Sequence, residues 1–433
     1  MKNYKLLVPI LLVVMFVGSI YMLHDTKASE LKKYNDALTA ARDYREKDIQ
    51  IDAEELYMQA LNQKPSLELS VEIGEFYWET EQVKKATNWG GTITKTYPEG
   101  VPGYEFLMNI YNQREDYVAC FDLYDTFVKR GLSSGKINEI IKQIEYTFYF
   151  NGEYHGAGVY SGGLSPIEID YKWGYVNQAG EKVINALYTY AGPFTQGLAP
   201  VTDAEGNCYF IDTAGNKKHV VLNVENIEKL GLIENELFSL FDGSKWHFYN
   251  TNHEKVFGDF DDVSAIGNGI AAVKTNGTWK LVDRTGKDIT GKTFAAVAMD
   301  DKLVVYRNER LFVSDGNQYQ MITSTGEVVG STAYDDVRVF SDTTYAAVKI
   351  GDKWGFVDKN GEVVIQPQYE DARSFSNGMA AVMVDGQWGF INSNGEMVIE
   401  AQFEDAREFN SDGCVFVLTE GEWKLLRLYK TNH

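Results

Sequence analysis

Residues 345–361 read Tyr345-Ala-Ala-Val-Lys-Ile-Gly-Asp-Lys-Trp354-Gly-Phe-Val-Asp-Lys-Asn-Gly361, and residues 378–395 read Gly378-Met-Ala-Ala-Val-Met-Val-Asp-Gly-Gln-Trp388-Gly-Phe-Ile-Asn-Ser-Asn-Gly395. The two stretches share small and β-branched residues before a Trp-Gly pair, and an Asn-Gly pair after it. Trp354 and Trp388 stand 34 residues apart. A copy at this period indicates a tandem array of one structural unit.

The same pattern extends through residues 163–430 at intervals of 33 to 40 residues. The tryptophan position is occupied, in order, by Trp173, Cys208, Trp246, Trp279, Tyr319, Trp354, Trp388 and Trp423. Six of the eight positions keep tryptophan, and the turn residues that follow keep the register at the other two. We therefore predict eight units.

Each unit predicts short β-strands separated by tight turns. In the unit of Trp388, β-rich stretches at 380–384 and 388–391 flank Asp385-Gly386, a hairpin turn pair, and a third stretch follows at 397–399. Three-stranded units of even length favour radial packing, so we expect a β-propeller-like ring, with an open β-solenoid as the alternative. In either array the indole closes the layer between neighbouring units.

The glycine after the tryptophan lets another chain approach where a side chain would collide. It is present at Gly174, Gly355 and Gly389, while His247, Lys280 and Lys424 take its place in three other units. On these residues the units resemble the WG-repeat family, also called the KWG repeat. The resemblance covers about 270 residues, and it implies a β-rich repeat domain with no assigned catalytic residues.

The last unit stops soon after Trp423 and lacks a third strand, while residues 146–150 form an unassigned β-rich stretch before the first unit. We expect this stretch to pair with the last unit and close the array, because an exposed edge strand invites aggregation. Residues 146–162 are thus assigned as a linker with a closing strand.

Residues 34–145 show a helical period with small and aromatic residues recurring every 33 to 34 positions. Ala53, Ala86 and Cys120 mark one such position, and Tyr44, Tyr77 and Tyr111 mark another. These residues resemble the tetratricopeptide repeat, which implies stacked helix pairs with a concave binding surface. A plain spacer is the alternative role.

The N-terminus predicts export. Lys2 and Lys5 precede an uncharged apolar run at 6–23, whose length approaches that of a membrane span. We predict a cytoplasmic tail at 1–5, a transmembrane signal anchor at 6–23 and a linker at 24–33, which places the C-terminal region outside a cell membrane in a single-pass topology. A cleaved signal peptide ending near Ala28 is the alternative. The fold class is therefore a transmembrane helix, an α-helical array and an all-β repeat array.

The composition narrows the function. A net charge of −21 disfavours nucleic acid and other polyanions as partners. Cys120, Cys208 and Cys414 lack metal-ligand or redox spacing, and no catalytic motif is present, so we expect no cofactor and no enzyme activity.

Acidic pairs recur after an aromatic residue in four units. They are Asp261 and Asp262, Asp335 and Asp336, Glu370 and Asp371, and Glu404 and Asp405. In a ring they gather on one rim, where they would either attract a cation or a basic ligand, or cap turns. The spacing of a calcium loop is absent, which favours turn capping over cation binding.

The leading functional hypothesis is a membrane-anchored scaffold that binds a protein partner. A cell-wall glycan binder that uses exposed tryptophans is the alternative, and a hydrolase with paired carboxylates is a third hypothesis.

Overall fold

The structure is a computed structural model that describes residues 27–218, 227–341 and 345–430. The chain divides into two compact units between Glu145 and Tyr146. The first unit is helical. Its helices within the described residues are α1 (27–46), α2 (Gln50–Gln63), α3 (Leu67–Glu79), α4 (Val83–Thr96), α5 (Val101–Gln113), α6 (Tyr117–Lys129) and α7 (Gly135–Ile144).

The helices start and stop where local chemistry dictates. The side chains of Ser66 and Asp116 each accept a hydrogen bond at 3.2 Å from the backbone N–H three residues later, which caps α3 and α6. The turns after α1, α3 and α5 contain Asp48, Glu81 and Glu115 in the left-handed region, with φ of 56°, 59° and 55°. The same turn thus recurs at the helical repeat length.

Small residues let the helices pack closely. Ala53, Ala86 and Cys120 are fully buried. A Cβ atom added to Gly74 would lie 2.6 Å from the ring of Phe106, so α3 and α5 are in contact at this point. The resemblance of these helices to the tetratricopeptide repeat stays a prediction.

The prediction of a transmembrane helix is corrected. Helices α2 to α7 have 10 to 14 residues, shorter than a span of about 20, and α1 carries charged residues along its length. In the part of the chain that the structure describes, no helix is long and apolar enough to cross a membrane. The fold class and the single-pass membrane localisation are wrong on this finding. The segment 6–23, on which both predictions rested, lies outside the described residues.

The second unit is a β-propeller of eight blades, which confirms the propeller-like prediction over the open solenoid. The first four blades are, in order, β2 (Gly156–Ala157), β3 (Leu164–Ile169), β4 (Lys172–Asn177) and β5 (Lys182–Tyr188); β6 (Tyr190–Ala191), β7 (Leu198–Thr202), β8 (Cys208–Asp212) and β9 (Lys217–Lys218); β10 (Lys229–Glu234), β11 (Leu237–Phe241), β12 (Trp246–Asn250) and β13 (Lys255–Phe260); β14 (Asp262–Val263), β15 (Ile270–Thr275) and β16 (Thr278–Asp283).

Blades 5 to 8 follow the same plan. They are, in order, β17 (Ala296–Val297), β18 (Leu311–Ser314) and β19 (Tyr319–Ile322); β20 (Asp336–Val337), β21 (Ala346–Ile350), β22 (Lys353–Val357) and β23 (Val363–Tyr369); β24 (Asp371–Ala372), β25 (Met379–Val384), β26 (Gln387–Asn392) and β27 (Met397–Phe403); β28 (Asp405–Ala406), β29 (Cys414–Thr419), β30 (Glu422–Leu428) and β1 (Phe148–Tyr154).

Six blades contain one strand more than the three predicted, while blades 4 and 5 contain three. Seven blades begin with a two-residue strand, such as β24, that pairs antiparallel with the next strand. Two residues are too few to show an alternating pattern, so these strands could not be told from a connection in the sequence. This short strand places the residues that follow it at the inner end of the blade.

The turn after the third strand is closed by one side chain. Asn392 accepts hydrogen bonds at 3.0 Å from the backbone N–H groups of Asn394 and Glu396, and Gly395 then adopts a φ of 81°. Asp358 binds the corresponding N–H groups at 2.8 and 2.9 Å. A short polar side chain followed by glycine therefore sets the register of the fourth strand.

The glycine after the tryptophan accommodates the fourth strand of its own blade. A Cβ atom added to Gly355 or Gly389 would lie 2.6 Å from the carbonyl oxygen of Ile365 or Ile399. In blade 3, His247 holds this position, and the glycine stands on the opposite strand as Gly258. The close approach is thus kept by moving the glycine across the sheet.

Blade 8 takes its fourth strand from the other end of the β-domain. Strand β1 pairs antiparallel with β30, with Phe148 opposite Leu428 and Tyr154 opposite Trp423. The ring therefore closes through a pairing between the first and last strands of the domain, and β30 has a neighbour on both sides.

We predict that a chain beginning at His155 melts at a lower temperature, or aggregates, compared with one beginning at Tyr146. Removing β1 leaves the edge of β30 open and uncovers apolar surface of Val415, Val417 and Leu428. Thermal melting followed by circular dichroism measures the difference. Equal melting temperatures would show that the ring does not depend on this pairing.

We predict that Gly389→Ala lowers the free energy of unfolding by about 1–3 kcal/mol, because the added methyl group meets backbone that can only move by distorting the sheet. Denaturant unfolding measures the change. Gln387→Ala, at an exposed position on the same strand, is the control and should stay near wild type. A Gly389→Ala protein as stable as this control would contradict the steric argument.

Candidate functional site

Each repeat tryptophan packs against the next blade. Trp354 of blade 6 joins a buried cluster with Ala372 and Val382 of blade 7, and Trp388 of blade 7 joins one with Ala406 and Val417 of blade 8. Trp173, Trp246, Trp279 and Trp423 likewise contact clusters that contain residues of the following blade. The six repeat tryptophans are therefore placed alike, each between its own blade and the following one.

None of the six repeat tryptophans is exposed. Trp279, Trp354 and Trp388 are 7%, 3% and 4% exposed, and Trp173, Trp246 and Trp423 are partly buried. A glycan-binding platform needs aromatic faces open to solvent. The glycan alternative therefore has no support in the placement of these residues.

The first residue of each acidic pair binds a hairpin turn. Asp335 and Glu370 accept hydrogen bonds at 2.6 and 2.9 Å from the backbone N–H groups of Gly351 and Gly386. Asp261 and Glu404 do the same with Asn276 and Gly421. The hydrogen bonds from the side chain of Gln318 and from the backbone N–H of Gly351 lower the pKa of Asp335 below its ordinary value.

The second residue of each pair faces the other way, into its short strand. Asp262, Asp336, Asp371 and Asp405 each accept a hydrogen bond at 2.7 to 2.9 Å from the next backbone N–H. Among the described residues no group of three or more His, Cys, Asp or Glu side chains is placed to hold a metal ion. The two residues of each pair thus bind different backbone groups, the first in a hairpin turn and the second in the short strand.

One position at the inner end of the blades differs strongly from unit to unit. The residue after the short strand donates its backbone N–H to a carbonyl of the second strand at 2.8 to 2.9 Å, and this bond identifies equivalent residues in seven blades. These are Gly158, Gly192, Ser264, Ala298, Arg338, Arg373 and Arg407. The last three blades therefore place arginine where the others have glycine, serine or alanine.

Each of these arginines contacts the tryptophan of its own blade. The guanidinium groups of Arg338, Arg373 and Arg407 lie 4.9, 5.5 and 4.8 Å from the rings of Trp354, Trp388 and Trp423, the tryptophans of their own blades. This distance is typical of a cation–π contact.

The same guanidinium groups also reach carboxylates of other blades. Arg338 and Arg373 contact Asp371 and Asp405 of the following blade at 3.4 and 3.2 Å. Arg407 instead contacts Asp301, from the long loop of blade 5, at 3.5 Å. The second residues of two acidic pairs thus act as counter-charges for arginines.

These arginines line a cavity of about 370 Å³, hereafter the arginine pocket. Its walls come from loops of blades 1, 5, 6, 7 and 8. The charged residues in the walls are Asp300, Asp301, Lys302, Arg307, Arg338, Arg373, Arg407, Glu408 and Asp412. Asp300 is held by Arg307 at 3.0 Å and by the backbone N–H groups of Lys302 and Val304. The volume lies at the lower end of the range for small-ligand sites, about 300–1,000 Å³.

Glu408 is the carboxyl group of the pocket whose acidity is most changed. Burial raises its pKa to about 7, and repulsion from Asp301 adds to the effect, while Ser341 and Arg373 oppose it. Its side chain therefore changes between neutral and charged near physiological pH.

The arginine pocket was not predicted from the sequence. The acidic pairs were noted, but not the arginine two residues after two of them, in Asp-Ala-Arg at 371–373 and 405–407. The repetition was a usable signal. That these arginines share a cavity with the loop of Asp301 depends on ring closure, which brings blade 5 near blade 8.

We predict that Glu408→Gln stabilises the protein at pH 8 but not at pH 4.5. Because the pKa of Glu408 is raised in the folded state, the folded protein loses stability as pH rises from the ordinary pKa of 4.5 through about 7. Each pKa unit corresponds to about 1.4 kcal/mol, so we expect a gain of roughly 1–3 kcal/mol above pH 7.5.

Denaturant unfolding at pH 4.5, 6, 7 and 8 measures this gain. Glu400→Gln, which removes an exposed carboxyl group of blade 7, supplies the background of losing one surface charge. A Glu408→Gln gain that is the same at all four pH values would contradict the titration of Glu408.

No curated protein matches the chain in sequence. Several solved structures are similar in fold. BamB from Moraxella catarrhalis has 12% identity and a TM-score of 0.44, over 65% of this chain and 100% of its own. The computationally designed Ika8 protein has 9% identity and a TM-score of 0.43, over 64% and 98%. Hsv2 from Kluyveromyces lactis has 10% identity and a TM-score of 0.36, over 65% and 99%. They carry no information on ligand or partner.

The family model of the WG containing repeat matches five segments of the β-domain, at 173–203, 246–279, 321–354, 354–388 and 388–423. Each segment starts or ends at a tryptophan position defined above, and the segments lie in blades 1 to 8 of the ring. The C-terminal region of this chain is therefore a β-propeller that carries WG repeats.

Proposed function

We propose that this protein is a non-catalytic scaffold whose propeller binds a segment of a partner protein at the arginine pocket. A propeller of WG repeats is the type of domain that serves protein interaction, and its loops form the pocket at the inner ends of five blades.

The proposal rests on the residue type at the position after the short strand, which differs between blades. Blades 1, 2, 4 and 5 form with Gly158, Gly192, Ser264 or Ala298 where blades 6 to 8 have arginine. The blade fold therefore does not require arginine at this place. A polar cavity built from residues that the fold does not need is best explained by a ligand.

The charge pairing in the pocket supports a binding role over a catalytic one. Arg307 and Arg407 are each in contact with an aspartate, and so are Arg338 and Arg373. Such pairs hold side chains in fixed positions, which suits recognition. In this proposal the helical unit acts as a spacer or as a second binding surface.

Polyanions are disfavoured as partners. Residues 146–433 contain 24 basic and 40 acidic residues, a net charge of −16 within the −21 of the chain. This field repels nucleic acid over the Debye length.

We predict that Ser411→Trp reduces partner capture from cells that naturally express the protein at least tenfold, because a large ring at this exposed pocket residue fills the entrance. Crosslinking followed by affinity capture and quantitative mass spectrometry measures recovery. Ser393→Trp, at an exposed turn of blade 7 outside the pocket, is the matched control. Equal recovery with both variants would place the binding surface elsewhere, and no specific recovery with wild type would end the scaffold proposal.

A further inference from the structure

Arginine is concentrated at one place in a strongly acidic domain. The propeller contains seven arginines, and four of them, Arg307, Arg338, Arg373 and Arg407, line the arginine pocket. With Lys302, basic residues outnumber the carboxylates by five to four among the described residues of the walls. Since the domain as a whole has a net charge of −16, the pocket repels an anionic group less than the average surface of the domain does.

Two guanidinium groups of the pocket are incompletely bound by the part of the protein that the structure describes. The Nε atoms of Arg373 and Arg407 are buried, and no described residue accepts a hydrogen bond from them; the same holds for the amide nitrogen of Asn410 in the same wall. All three atoms are donors. Buried donors without an acceptor are rare in proteins and indicate a missing water, ion or ligand.

The existing contacts of these arginines are long. Arg373 reaches Asp405 at 3.2 Å, and Arg407 reaches Asp301 at 3.5 Å and the carbonyl oxygen of Ala157 at 3.4 Å. Charge-assisted hydrogen bonds between guanidinium and carboxylate are usually about 2.7–2.9 Å. The internal carboxylates therefore leave donor capacity unused.

Arg373 and Arg407 also repel each other. Burial and the neighbouring charge of Arg373 lower the pKa of Arg407, while Asp301 and Asp405 oppose this effect. A negative group placed in the pocket would relieve the repulsion and accept the unused hydrogen bonds.

We propose that the arginine pocket binds a carboxylate group of the partner polypeptide, with Arg373 and Arg407 as its principal ligands. This assignment rests on the proposed function and names the chemistry recognised at that site. The carboxylate belongs to a chain end or to an acidic side chain.

A carboxylate fits the pocket better than either a phosphate or a cation. A planar carboxylate matches the donor geometry of guanidinium and brings a single negative charge. A phosphate carries nearly two negative charges, so its attraction to the guanidinium groups and its repulsion from Asp300, Asp301 and Glu408 both increase. The nearly balanced charge of the walls, with five basic residues and four carboxylates, suits a group with a single negative charge. A cation would meet four guanidinium groups and none of the unpaired donors would gain an acceptor.

Glu408 makes the binding depend on pH. When Glu408 is neutral it leaves Arg373 available, and when it ionises it competes with the ligand for that guanidinium. The charged groups that act on its pKa are Asp300, Asp301 and Arg373, and the walls of the pocket also contain Lys302, Arg307, Arg338, Arg407 and Asp412. Binding is therefore tighter at pH 6 than at pH 8, and Glu408→Gln removes most of this difference.

We test the assignment with peptide probes and the full chain at pH 6. The probes are acetyl-Gly-Gly-Gly with a free carboxylate, the same peptide as its amide, acetyl-Gly-Glu-Gly amide, and inorganic phosphate. Saturation-transfer NMR with titration measures their affinities. We expect at least one carboxylate probe to bind, the amide without a carboxylate not to bind, and phosphate to bind more weakly than the better carboxylate probe.

Arg373→Ala is expected to weaken carboxylate binding about 10- to 100-fold, the usual effect of losing a charged hydrogen bond. The substitution reproduces Ala298 at the equivalent position of blade 5, so the blade fold accommodates it. Arg284→Gln, an exposed arginine outside the pocket, is the control and should bind as wild type. The affinity of the wild type for the carboxylate probe should fall from pH 6 to pH 8, while that of Glu408→Gln should change little. This result would support the assignment independently.

Three results would overturn the assignment. They are equal binding of the carboxylate peptides and the amide, tighter binding of phosphate than of either carboxylate, and unchanged affinity in a folded Arg373→Ala protein. If the probes fail while Ser411→Trp still abolishes partner capture, the pocket is the binding site and only its chemistry is wrong.

Discussion

The indole of each repeat is the contact on which the β-domain depends. A three- or four-stranded blade cannot bury a tryptophan by itself, so Trp354 and Trp388 become 3% and 4% exposed only by contacting the following blade. An aromatic ring of this size contributes a large share of the apolar area buried between blades. The same constraint requires the array to close, because the last unit also needs a neighbour. Trp423 finds it in blade 1, next to Tyr154 and Ala157.

The arginines of blades 6 to 8 use this framework for a second purpose. In these three blades a guanidinium group lies over the indole, as in Arg407 over Trp423 at 4.8 Å. The aromatic ring fixes the arginine without neutralising it, whereas a close carboxylate would do both. A row of held but incompletely paired guanidinium groups follows from a repeat whose sealing residue is aromatic. The plan of the repeat and the candidate site are therefore linked through one side chain.

The sequence predicted those features that are encoded within one unit. The spacing of the tryptophans, the turn of Asp385-Gly386 and the glycine after Trp388 are local signals, and all lie in the structure as hairpin elements of a ring. The propeller prediction was confirmed on this basis. The two-residue strands, such as Asp371–Ala372, were missed because their pairing depends on the next strand and not on their own pattern. The arginine pocket was missed for a similar reason, since Asp301 and Arg407 are 106 residues apart in sequence.

The predictions of fold class and localisation included a feature, a membrane-spanning helix, that the described residues do not contain. The apolar run at 6–23 is a strong compositional signal, yet the part of the chain that the structure describes contains no helix able to cross a membrane. The two residues of each acidic pair also have different partners, although they are adjacent in sequence. Glu370 closes a hairpin, while Asp371 contacts Arg338. Adjacent residues in a strand point to opposite sides, so a pair of like charges in sequence need not act together.

The pairing of β1 with β30 joins residues that are 280 positions apart, from Phe148 to Leu428. During synthesis β1 leaves the ribosome long before its partner exists, so the ring stays open until the last blade has been made. Contacts of such long range slow folding and leave apolar edges uncovered in the meantime. A premature stop or a proteolytic cut before β30 would therefore damage both ends of the domain at once, and quality-control proteases would meet two open edges in place of none.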